Sequence, residues 1–301
     1  MIIEASQEQW DPPDLSGKVA VVTGASRGVG RGVAEVLGEC GAIVYVSARS
    51  TRESPTTSDP EQTIEVVAEE IKRKGGVGIP IQCDHGSEAE IERLFKQVES
   101  DHGRLDILIN NVIGWDQEQP APDLKDDLKH MIAPMWQRPV SNWDGNFHVG
   151  LRSHFLACRF GIPLMLEQKQ GVIIFTGEQP NDEPNPDLSI DVRAHATARF
   201  AFSLAQRLKR RGIVSLLLYP GFPRTEGILN NWNIKHPYFS GWSREDFLAK
   251  TESTHYTGRA VAMLAADPDI LSQTGLTLGV HQVALDHGFT DVDGSYPIPL
   301  R

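Results

Sequence analysis

Glycines spaced as Gly-x-x-x-Gly-x-Gly, at Gly24, Gly28 and Gly30, mark a turn that could bind a phosphate. A short apolar run over residues 19–22 precedes the turn, and residues 31–40 after it have the composition of a helix. A strand, a glycine turn and a helix N-terminus together present backbone N–H groups to an anion, and the helix dipole favours negative charge there. Glycines also let the backbone approach a pyrophosphate without a clash from Cβ. The pattern predicts a dinucleotide site, with a plain tight turn as the alternative.

An arginine follows the predicted second strand, residues 43–47, at the point where the adenosine ribose sits in folds of this kind. An acidic residue there would accept a hydrogen bond from the ribose 2′-OH and favour NAD, but residues 48–52 contain none. Arg49 could instead pair with a 2′-phosphate, which makes NADP the preferred cofactor and NAD the second choice. A solvated surface arginine is the alternative interpretation.

Composition narrows the class of protein. The chain has 301 residues, with Lys+Arg 29 against Asp+Glu 40, and its formal net charge of -11 argues against a nucleic-acid partner. The sequence shows no apolar run long enough to cross a bilayer and no signal peptide in residues 1–16, so we expect a cytoplasmic protein without a membrane partner. The three cysteines and the acidic residues lack metal-ligand spacing, so we expect no metal site.

Apolar segments that predict strands alternate along the chain with segments of helical periodicity. The predicted strands are residues 19–22, 43–47, 78–83, 105–109, 171–175, 213–219 and 274–280. This order predicts an α/β fold with a doubly wound parallel sheet of about seven strands flanked by helices. We expect an N-terminal arm over 1–16, one domain over 17–292 and a tail over 293–301. Ser141 is predicted to cap a long helix over residues 143–168.

Two aromatic-rich segments are expected to cover a small-molecule substrate. Residues 114–142 form a long connection with Trp115 and Trp136, and residues 222–257 form an insertion with further aromatic residues. Loops of this length in a compact domain are usually functional elements. A pocket for a small organic substrate is therefore predicted beneath them.

Several motifs along residues 15–292 resemble the short-chain dehydrogenase/reductase family. They are Thr23-Gly24-Ala25-Ser26-Arg27-Gly28-Val29-Gly30, Cys83-Asp84, Asn110-Asn111-Val112 and Pro220-Gly221-Phe222-Pro223-Arg224-Thr225. Further matches are most similar to the subgroup typified by dehydrogenase/reductase member 1. These are Trp143-Asp144, Val149-Gly150-Leu151-Arg152 and Asp291-Val292-Asp293-Gly294.

The resemblance implies a Rossmann fold that binds NAD(P)H. It places Asp84 against the adenine, Asn110 beside the nicotinamide ribose and Thr225 near the carboxamide. The implied cofactor-binding residues, with Arg49, are Gly24, Ser26, Arg27, Gly28, Val29, Gly30, Asp84, Asn110, Pro220, Gly221 and Thr225. The family usually assembles through two long central helices. The alanines of residues 194–205 would permit that packing, so we expect a homodimer or homotetramer.

The chain departs from the family at the proton-handling residues, which are a Tyr-x-x-x-Lys pair and a preceding serine. There the tyrosine is the general acid, the lysine lowers its pKa and the serine orients the carbonyl. Counting back from Gly212 places Ile190 at the tyrosine position and Ala194 at the lysine position. Because no tyrosine lies between Tyr45 and Tyr219, realignment does not restore the motif.

Charged residues occupy the remaining catalytic positions. Glu178 falls at the serine position, or Gly177 or Thr176 if the loop shifts, and His148 falls at the position of a supporting asparagine. A carboxyl group in an apolar pocket can have a raised pKa and act as an acid. The candidate catalytic residues are therefore Glu178, His148 and Asp191. Further polar candidates are Asp187, Arg193 and His195. The alternative is that these acids form a solvated loop and a favourable helix N-terminus.

Three functions remain open from the sequence. The first is an NADP(H)-dependent oxidoreductase that transfers a hydride without the usual Ser-Tyr-Lys residues. The second is a homologue that binds the cofactor without turnover. The third is a non-redox lyase or cyclase in the same pocket, with Glu178 and His148 as its acid and base. The aromatic cover favours the first.

Overall fold

The computed structural model describes residues 9–114, 134–180, 183–185, 187–231 and 242–297. Its strands are β1 (Val19–Thr23), β2 (Ile43–Ala48), β3 (Val77–Gln82), β4 (Ile107–Asn110), β5 (Gly171–Thr176), β6 (Ile213–Tyr219) and β7 (Thr277–Gly279). They form one parallel sheet of seven strands in the order β3-β2-β1-β4-β5-β6-β7. The predicted doubly wound α/β fold is confirmed.

Helices cover both faces of this sheet. They are α1 (Gly28–Glu39), α2 (Ile64–Arg73), α3 (Glu88–His102), α4 (Val140–Asp144), α5 (Arg152–Gln168), α6 (Leu188–Leu208), α7 (Glu226–Asn231), α8 (Arg244–Lys250), α9 (Thr254–Ala266) and α10 (Val280–His287). Strand order reverses between β1 and β4, which opens a crevice at their carboxyl ends. The crevice is where a ligand binds in sheets of this type.

Neighbouring residues of each central strand face opposite sides of the sheet and so belong to different cores. Val22 packs with α1, α9 and α10 in one buried cluster, whereas Val21 packs with α3, α5 and α6 in the other. Both residues are fully buried. Burial on both faces explains why these strands are continuous apolar runs rather than alternating ones.

Helix α1 crosses α9 at close range, and this contact fixes the helix beneath the glycine turn. A Cβ on Gly32 would lie 2.4 Å from the carbonyl oxygen of Thr254. A Cβ on Gly258 would lie 2.6 Å from the carbonyl oxygen of Gly32. Only glycine permits this approach, so the position of α1 depends on two residues without side chains.

The predicted helix over 143–168 is interrupted, and its predicted cap is wrong. Helix α4 follows Pro139, and no side-chain cap forms there, because Ser141 lies inside the helix. A π-helical turn, Gly145–Leu151, then joins α4 to α5. A π turn contains an extra residue, so it changes which side chains face the crevice.

Part of the predicted N-terminal arm packs on the domain. The Trp10 ring meets Phe289 edge to face at 6.0 Å, and its Nε1 donates to Glu39 Oε1 across 2.9 Å. Much of the predicted aromatic cover, including Trp115, lies outside the described residues. Within them, Trp136 is exposed and Lys250 Nζ lies 4.6 Å from the Trp242 ring centroid.

Candidate functional site

The glycine turn adopts a backbone conformation that side chains would block. Gly24 and Gly28 have φ angles of 68° and 60°, in the left-handed region that favours glycine. A Cβ on Gly30 would lie 2.3 Å from the Gly24 carbonyl oxygen and 2.4 Å from Asn111 Nδ2. The turn therefore closes tightly on itself, and the N–H groups of the first turn of α1 lie at the crevice.

Asn111 connects the glycine turn to the next two strands of the sheet. Its Nδ2 donates to the carbonyl oxygens of Thr23 and Gly24 across 2.9 and 3.2 Å. Its Oδ1 accepts from Thr176 Oγ1, at the end of β5, across 3.0 Å. One amide side chain thus holds the carboxyl ends of β1, β4 and β5 in register.

The neighbouring Asn110 points the other way. Its side chain is fully buried and its Nδ2 donates to Cys158 Sγ across 3.4 Å. Its Oδ1 has no hydrogen-bond partner among the described residues. The structure therefore places the Asn110 side chain in the core beneath the crevice, whereas the resemblance implied a place beside the nicotinamide ribose.

A carboxylate lies at the N-terminus of α1. The N–H of Gly28 donates to Glu226 Oε2 across 2.8 Å. Thr225, the residue before it, lies beside Gly28, since a Cβ there would be 3.5 Å from Thr225 Cγ2. Glu226 was not among the site residues predicted from the sequence. The carboxylate occupies the kind of position that a phosphate oxygen would take, which shows that the turn accepts an anion.

Two arginines flank this end of the crevice. Burial lowers the pKa of Arg27, the carboxylate of Glu226 acts in the opposite direction, and the cation of Arg49 lowers it further. Arg27 is half-buried beneath Gln62, with Nη1 and Oε1 3.5 Å apart, whereas Arg49 is exposed. Repulsion between neighbouring cations is relieved when an anion binds between them, so this pair suits a phosphate group.

The other predicted cofactor residues line the same edge of the sheet. Asp84 is half-buried, its Oδ1 accepts from the Gly86 N–H, and its own N–H donates to Glu90 Oε2. Ser26 is buried in the glycine turn and Val29 is half-buried in the first turn of α1. These residues present a mixed apolar and polar wall, as a nucleotide requires.

A buried glutamate holds the loop of Pro220 and Gly221. Glu252 Oε2 accepts from the N–H of Gly221 across 3.1 Å, although only 3% of Glu252 is exposed. Burial, with a smaller effect from the nearby carboxylate of Asp291, raises the pKa of Glu252 to about 8, although the hydrogen bond from Gly221 acts in the opposite direction. Arg224 Nη2 donates to Asp291 across 3.2 Å. The late Asp-Val-Asp-Gly motif therefore supports this loop.

Ile190 and Ala194, predicted to stand at the family's tyrosine and lysine positions, line a cavity. Ile190 and Ala194 lie on the wall of a space of about 70 Å³. The remaining lining residues are Glu178, Gln179, Glu183, Asn185 and Asp191. The cavity is edged by carboxylates and lies at the end of β5 and the start of α6.

Arg193 is the main charged partner in this second half of the crevice. Its Nη2 donates to Oε1 and Oε2 of Glu178 across 2.8 and 2.7 Å, and its Nε donates to Asn146 Oδ1 across 2.9 Å. The Arg193 side chain is 2% exposed and that of Glu178 is 38% exposed. A buried guanidinium thus holds a partly exposed carboxylate in one orientation.

A second set of polar contacts fixes Asn146. Its Nδ2 donates to Ser189 Oγ across 3.2 Å, and Ser189 Oγ donates to Asp187 Oδ1 across 2.6 Å. Arg138 Nη1 lies 2.6 Å from Asp187 Oδ2. Burial alone would raise the pKa of Asp187, but hydrogen bonds from Ser189 and Asn142 and the charge of Arg138 lower it overall.

The other candidate catalytic residues are not brought together with Glu178 by direct contacts. His148 is exposed on the π turn, whereas Asn146, two residues earlier, reaches Arg193. Asp191 Oδ1 accepts from the N–H of Asn185 at the mouth of the cavity, and exposed His195 is 3.0 Å from the Asp191 carbonyl oxygen. His148, which was predicted for the position of the supporting asparagine, thus lies on the exposed side of the π turn.

One signal in the sequence could have singled out Arg193. The residues Ser189, Arg193, Thr197 and Ala201 are spaced by four, and all are buried on one face of α6. An arginine among small residues on a buried helix face needs a partner, because a buried charge is costly unless it is paired. That argument predicts a carboxylate nearby, and Glu178 is that carboxylate.

Neither a membrane span nor a metal cluster emerges from the part of the chain that the structure describes. None of its helices combines the length and apolar character needed to cross a bilayer. Likewise, its histidines, cysteines and acidic residues form no group of three or more that could hold a metal ion.

Known proteins share both sequence and fold with this chain. The family model described as short chain dehydrogenase matches residues 18–233. Human Dehydrogenase/reductase SDR family member 1 is 34% identical over 284 residues, covering 93% of this chain and 85% of the human protein. Its mouse counterpart is 33% identical over 286 residues, with the same two shares.

A solved structure shows the same fold at lower identity. A putative NAD(P) dependent gluconate 5-dehydrogenase from Beutenbergia cavernae, with bound NADP, has a TM-score of 0.70 and 20% identity, covering 90% of this chain and 97% of that one. With the glycine turn, the parallel sheet and the family match in agreement, the chain belongs to the short-chain dehydrogenase/reductase family of oxidoreductases.

Proposed function

We propose that this protein binds NADP(H) and transfers a hydride to or from a small organic substrate without the usual Ser-Tyr-Lys residues. The observation that carries the proposal is the carboxylate of Glu226 on the N–H of Gly28, beside Arg27 and Arg49. A turn that holds a carboxylate at a helix N-terminus is suited to a pyrophosphate. Bound NADPH would supply the hydride.

The residues present fit this cofactor. Gly24 and Gly30 let the turn close tightly against its own backbone and Asn111, which leaves the N–H groups at the start of α1 to face a phosphate. Arg27 and Arg49 provide positive charge at the end of β2, where a ribose 2′-phosphate would lie. The chain therefore offers what NADP needs in addition to what NAD needs.

A fluorescence titration with NADPH and NADH tests the cofactor assignment. We expect NADPH to bind more tightly than NADH, and Arg49→Ala to weaken NADPH binding about tenfold while leaving NADH binding unchanged. Arg52→Ala is the matched control, because Arg52 is exposed on the same loop and already pairs with Glu69 at 2.6 Å. Failure of both nucleotides to bind would contradict the proposal.

A homologue that binds the cofactor without turnover is the second candidate, since Ile190 cannot donate a proton as a tyrosine does and Ala194 cannot replace the lysine that lowers the tyrosine pKa. Deuterium transfer from 4-deuterated NADPH to a reduced product separates the two functions. Transfer supports the oxidoreductase, whereas tight binding without transfer to any tested acceptor supports the second candidate. The lyase with Glu178 and His148 as a pair is not carried forward, because His148 is exposed on the π turn.

Self-association through α5 and α6 is also part of the proposal. Phe155 on α5 is 52% exposed and Phe202 on α6 is 40% exposed, although both are large and apolar. Large exposed apolar residues on adjacent helices favour a protein interface. Analytical ultracentrifugation should show a dimer or tetramer, and Phe155→Glu should shift it toward the monomer.

A further inference from the structure

The cavity beside Ile190 contains a carboxylate whose orientation is fixed. Glu178 follows the end of β5 by two residues, and both of its oxygens accept from Arg193 Nη2. Arg193 is in turn held by Asn146 and is almost completely buried. A carboxylate held in this way can bind a ligand at its exposed edge with little further loss of side-chain entropy, because the ion pair has already ordered it.

The described residues around this cavity lack a convincing proton donor for carbonyl reduction. Reducing a carbonyl group produces an alkoxide, which must be protonated. The ionisable lining residues are Glu178, Glu183 and Asp191, and no tyrosine, histidine or lysine is among the residues that line the cavity. Glu178 accepts hydrogen bonds in its ion pair rather than donating one. A neutral carbonyl compound is therefore a poor match for this site.

A cationic hydride acceptor needs no proton donor. An iminium carbon accepts a hydride from NADPH, the C=N π electrons become the nitrogen lone pair, and NADPH is oxidised to NADP⁺. The product is a neutral amine, and no proton is transferred. In the reverse direction an amine loses a hydride and becomes an iminium ion. A carboxylate beside the nitrogen stabilises the cationic partner in both directions.

We infer that Glu178, oriented by Arg193 and Asn146, binds the positive charge of an iminium-type substrate. This inference rests on the proposed function, since the hydride comes from NADPH. Glu178 is the residue that touches the substrate, and Arg193 and Asn146 are positioning residues that hold its carboxylate. Ile190 and Ala194 provide the apolar wall against the carbon side of the substrate, where a tyrosine and a lysine would have filled the space.

The first experiment compares two acceptors of similar size. The cation is 1,2-dimethyl-1-pyrrolinium, which carries a permanent charge, and the neutral compound is 2-methylcyclopentanone. We expect the wild type to oxidise NADPH at least tenfold more efficiently with the cation, judged by kcat/KM. Glu178→Gln should lower kcat/KM for the cation about 30-fold and leave the Kd of NADPH within twofold, because glutamine keeps the contact with Arg193 but removes the charge.

Glu183→Gln is the matched control, because Glu183 lines the same cavity but is exposed. It should change kcat/KM for the cation less than threefold. Arg193→Lys should reduce the preference for the cation over the ketone, because an ammonium group cannot hold Glu178 as a guanidinium does. A purely structural role for Arg193 would lower both activities and leave that ratio unchanged.

A binding measurement keeps the inference testable without turnover. Calorimetry with N,N-dimethylpyrrolidinium, which cannot accept a hydride, should show binding to the NADP⁺-loaded protein that Glu178→Gln weakens about tenfold. Equal binding to both proteins, or efficient reduction of the ketone alone, would overturn the inference while leaving the proposed function intact. If NADPH itself does not bind, the proposed function and the inference about Glu178 are both wrong.

Discussion

At the end of β1 the crevice is lined by main chain, whereas at the end of β5 it is lined by charged side chains. The first region places the N–H of Gly28 against a carboxylate and excludes side chains at Gly30. The second region holds Glu178 through Arg193 and Asn146. The comparison teaches that a backbone site tolerates few substitutions, while a side-chain site can be rebuilt for another chemistry in the same fold.

The largest expected effect comes from adding one methyl group to the main-chain region. In Gly30→Ala the new Cβ would lie 2.3 Å from the Gly24 carbonyl oxygen, so the turn must open. We expect NADPH affinity to fall at least about 100-fold, or roughly 2.7 kcal/mol, measured by fluorescence titration.

Gly177→Ala is the control in the side-chain region. A Cβ on Gly177 meets only Leu217 Cδ1, at an ordinary distance of 3.6 Å, so NADPH binding should stay within threefold of wild type. If the two substitutions weakened binding equally, the distinction between the two regions would be wrong.

The next effect concerns Asn111, which joins the two regions. Asn111→Ala removes its bonds to Thr23, Gly24 and Thr176 and leaves their polar groups without that partner. The free energy of unfolding should fall by about 2 to 3 kcal/mol, measured by urea denaturation. Thr176→Val removes only the bond to β5 and should cost about 1 kcal/mol. Equal losses would show that Asn111 does not connect three strands.

The loop that carries Gly221 should make stability depend on pH. Burial raises the pKa of Glu252 from 4.5 to about 8, so between those values the folded protein keeps a proton that the unfolded chain has released. The contribution of Glu252 to stability therefore falls as pH rises from about 4.5 to 8 and is constant above that range. Asp291 raises the pKa of the same carboxyl group, whereas Arg224 and the hydrogen bonds from Gly221 and Thr257 lower it.

The variant Glu252→Gln has no carboxyl group to titrate at this position, so comparing it with wild type isolates the contribution of Glu252 to the pH dependence of stability. Its free energy of unfolding should rise relative to wild type by about 2 kcal/mol between pH 6 and pH 8, measured by urea denaturation at each pH. A difference between the two proteins that does not change with pH would show that Glu252 ionises normally in the folded state.

The smallest effect is a gain of affinity. Glu226 Oε2 lies 2.8 Å from the N–H of Gly28, so its negative charge competes with an incoming pyrophosphate. Glu226→Gln should tighten NADPH binding about three- to tenfold in the fluorescence titration. Glu245→Gln, an exposed glutamate at the start of α8, should have no effect. Weaker binding by Glu226→Gln would show that Glu226 assists the cofactor.

The sequence alone determined the fold and the main-chain region of the crevice. Apolar runs such as residues 19–22 and glycines at Gly24, Gly28 and Gly30 act through local backbone geometry. The buried strand and the tight turn that they predict follow from residue spacing alone, without knowledge of distant residues. The absence of tyrosine at position 190 was equally clear, because residue identity can be read directly from the sequence and does not depend on the fold.

Only the tertiary structure decided which side chains meet at the end of β5. Glu178 and Arg193 lie on different elements, and their ion pair depends on how β5, α6 and the π turn meet. Asn146 on that turn reaches Arg193 while His148 is exposed, and the sequence did not indicate the π turn. Glu226 and Glu252 likewise act on glycines that are distant in sequence. Hydrogen bonds and ion pairs between residues that are distant in sequence depend on how the elements pack, so residue spacing alone does not predict them.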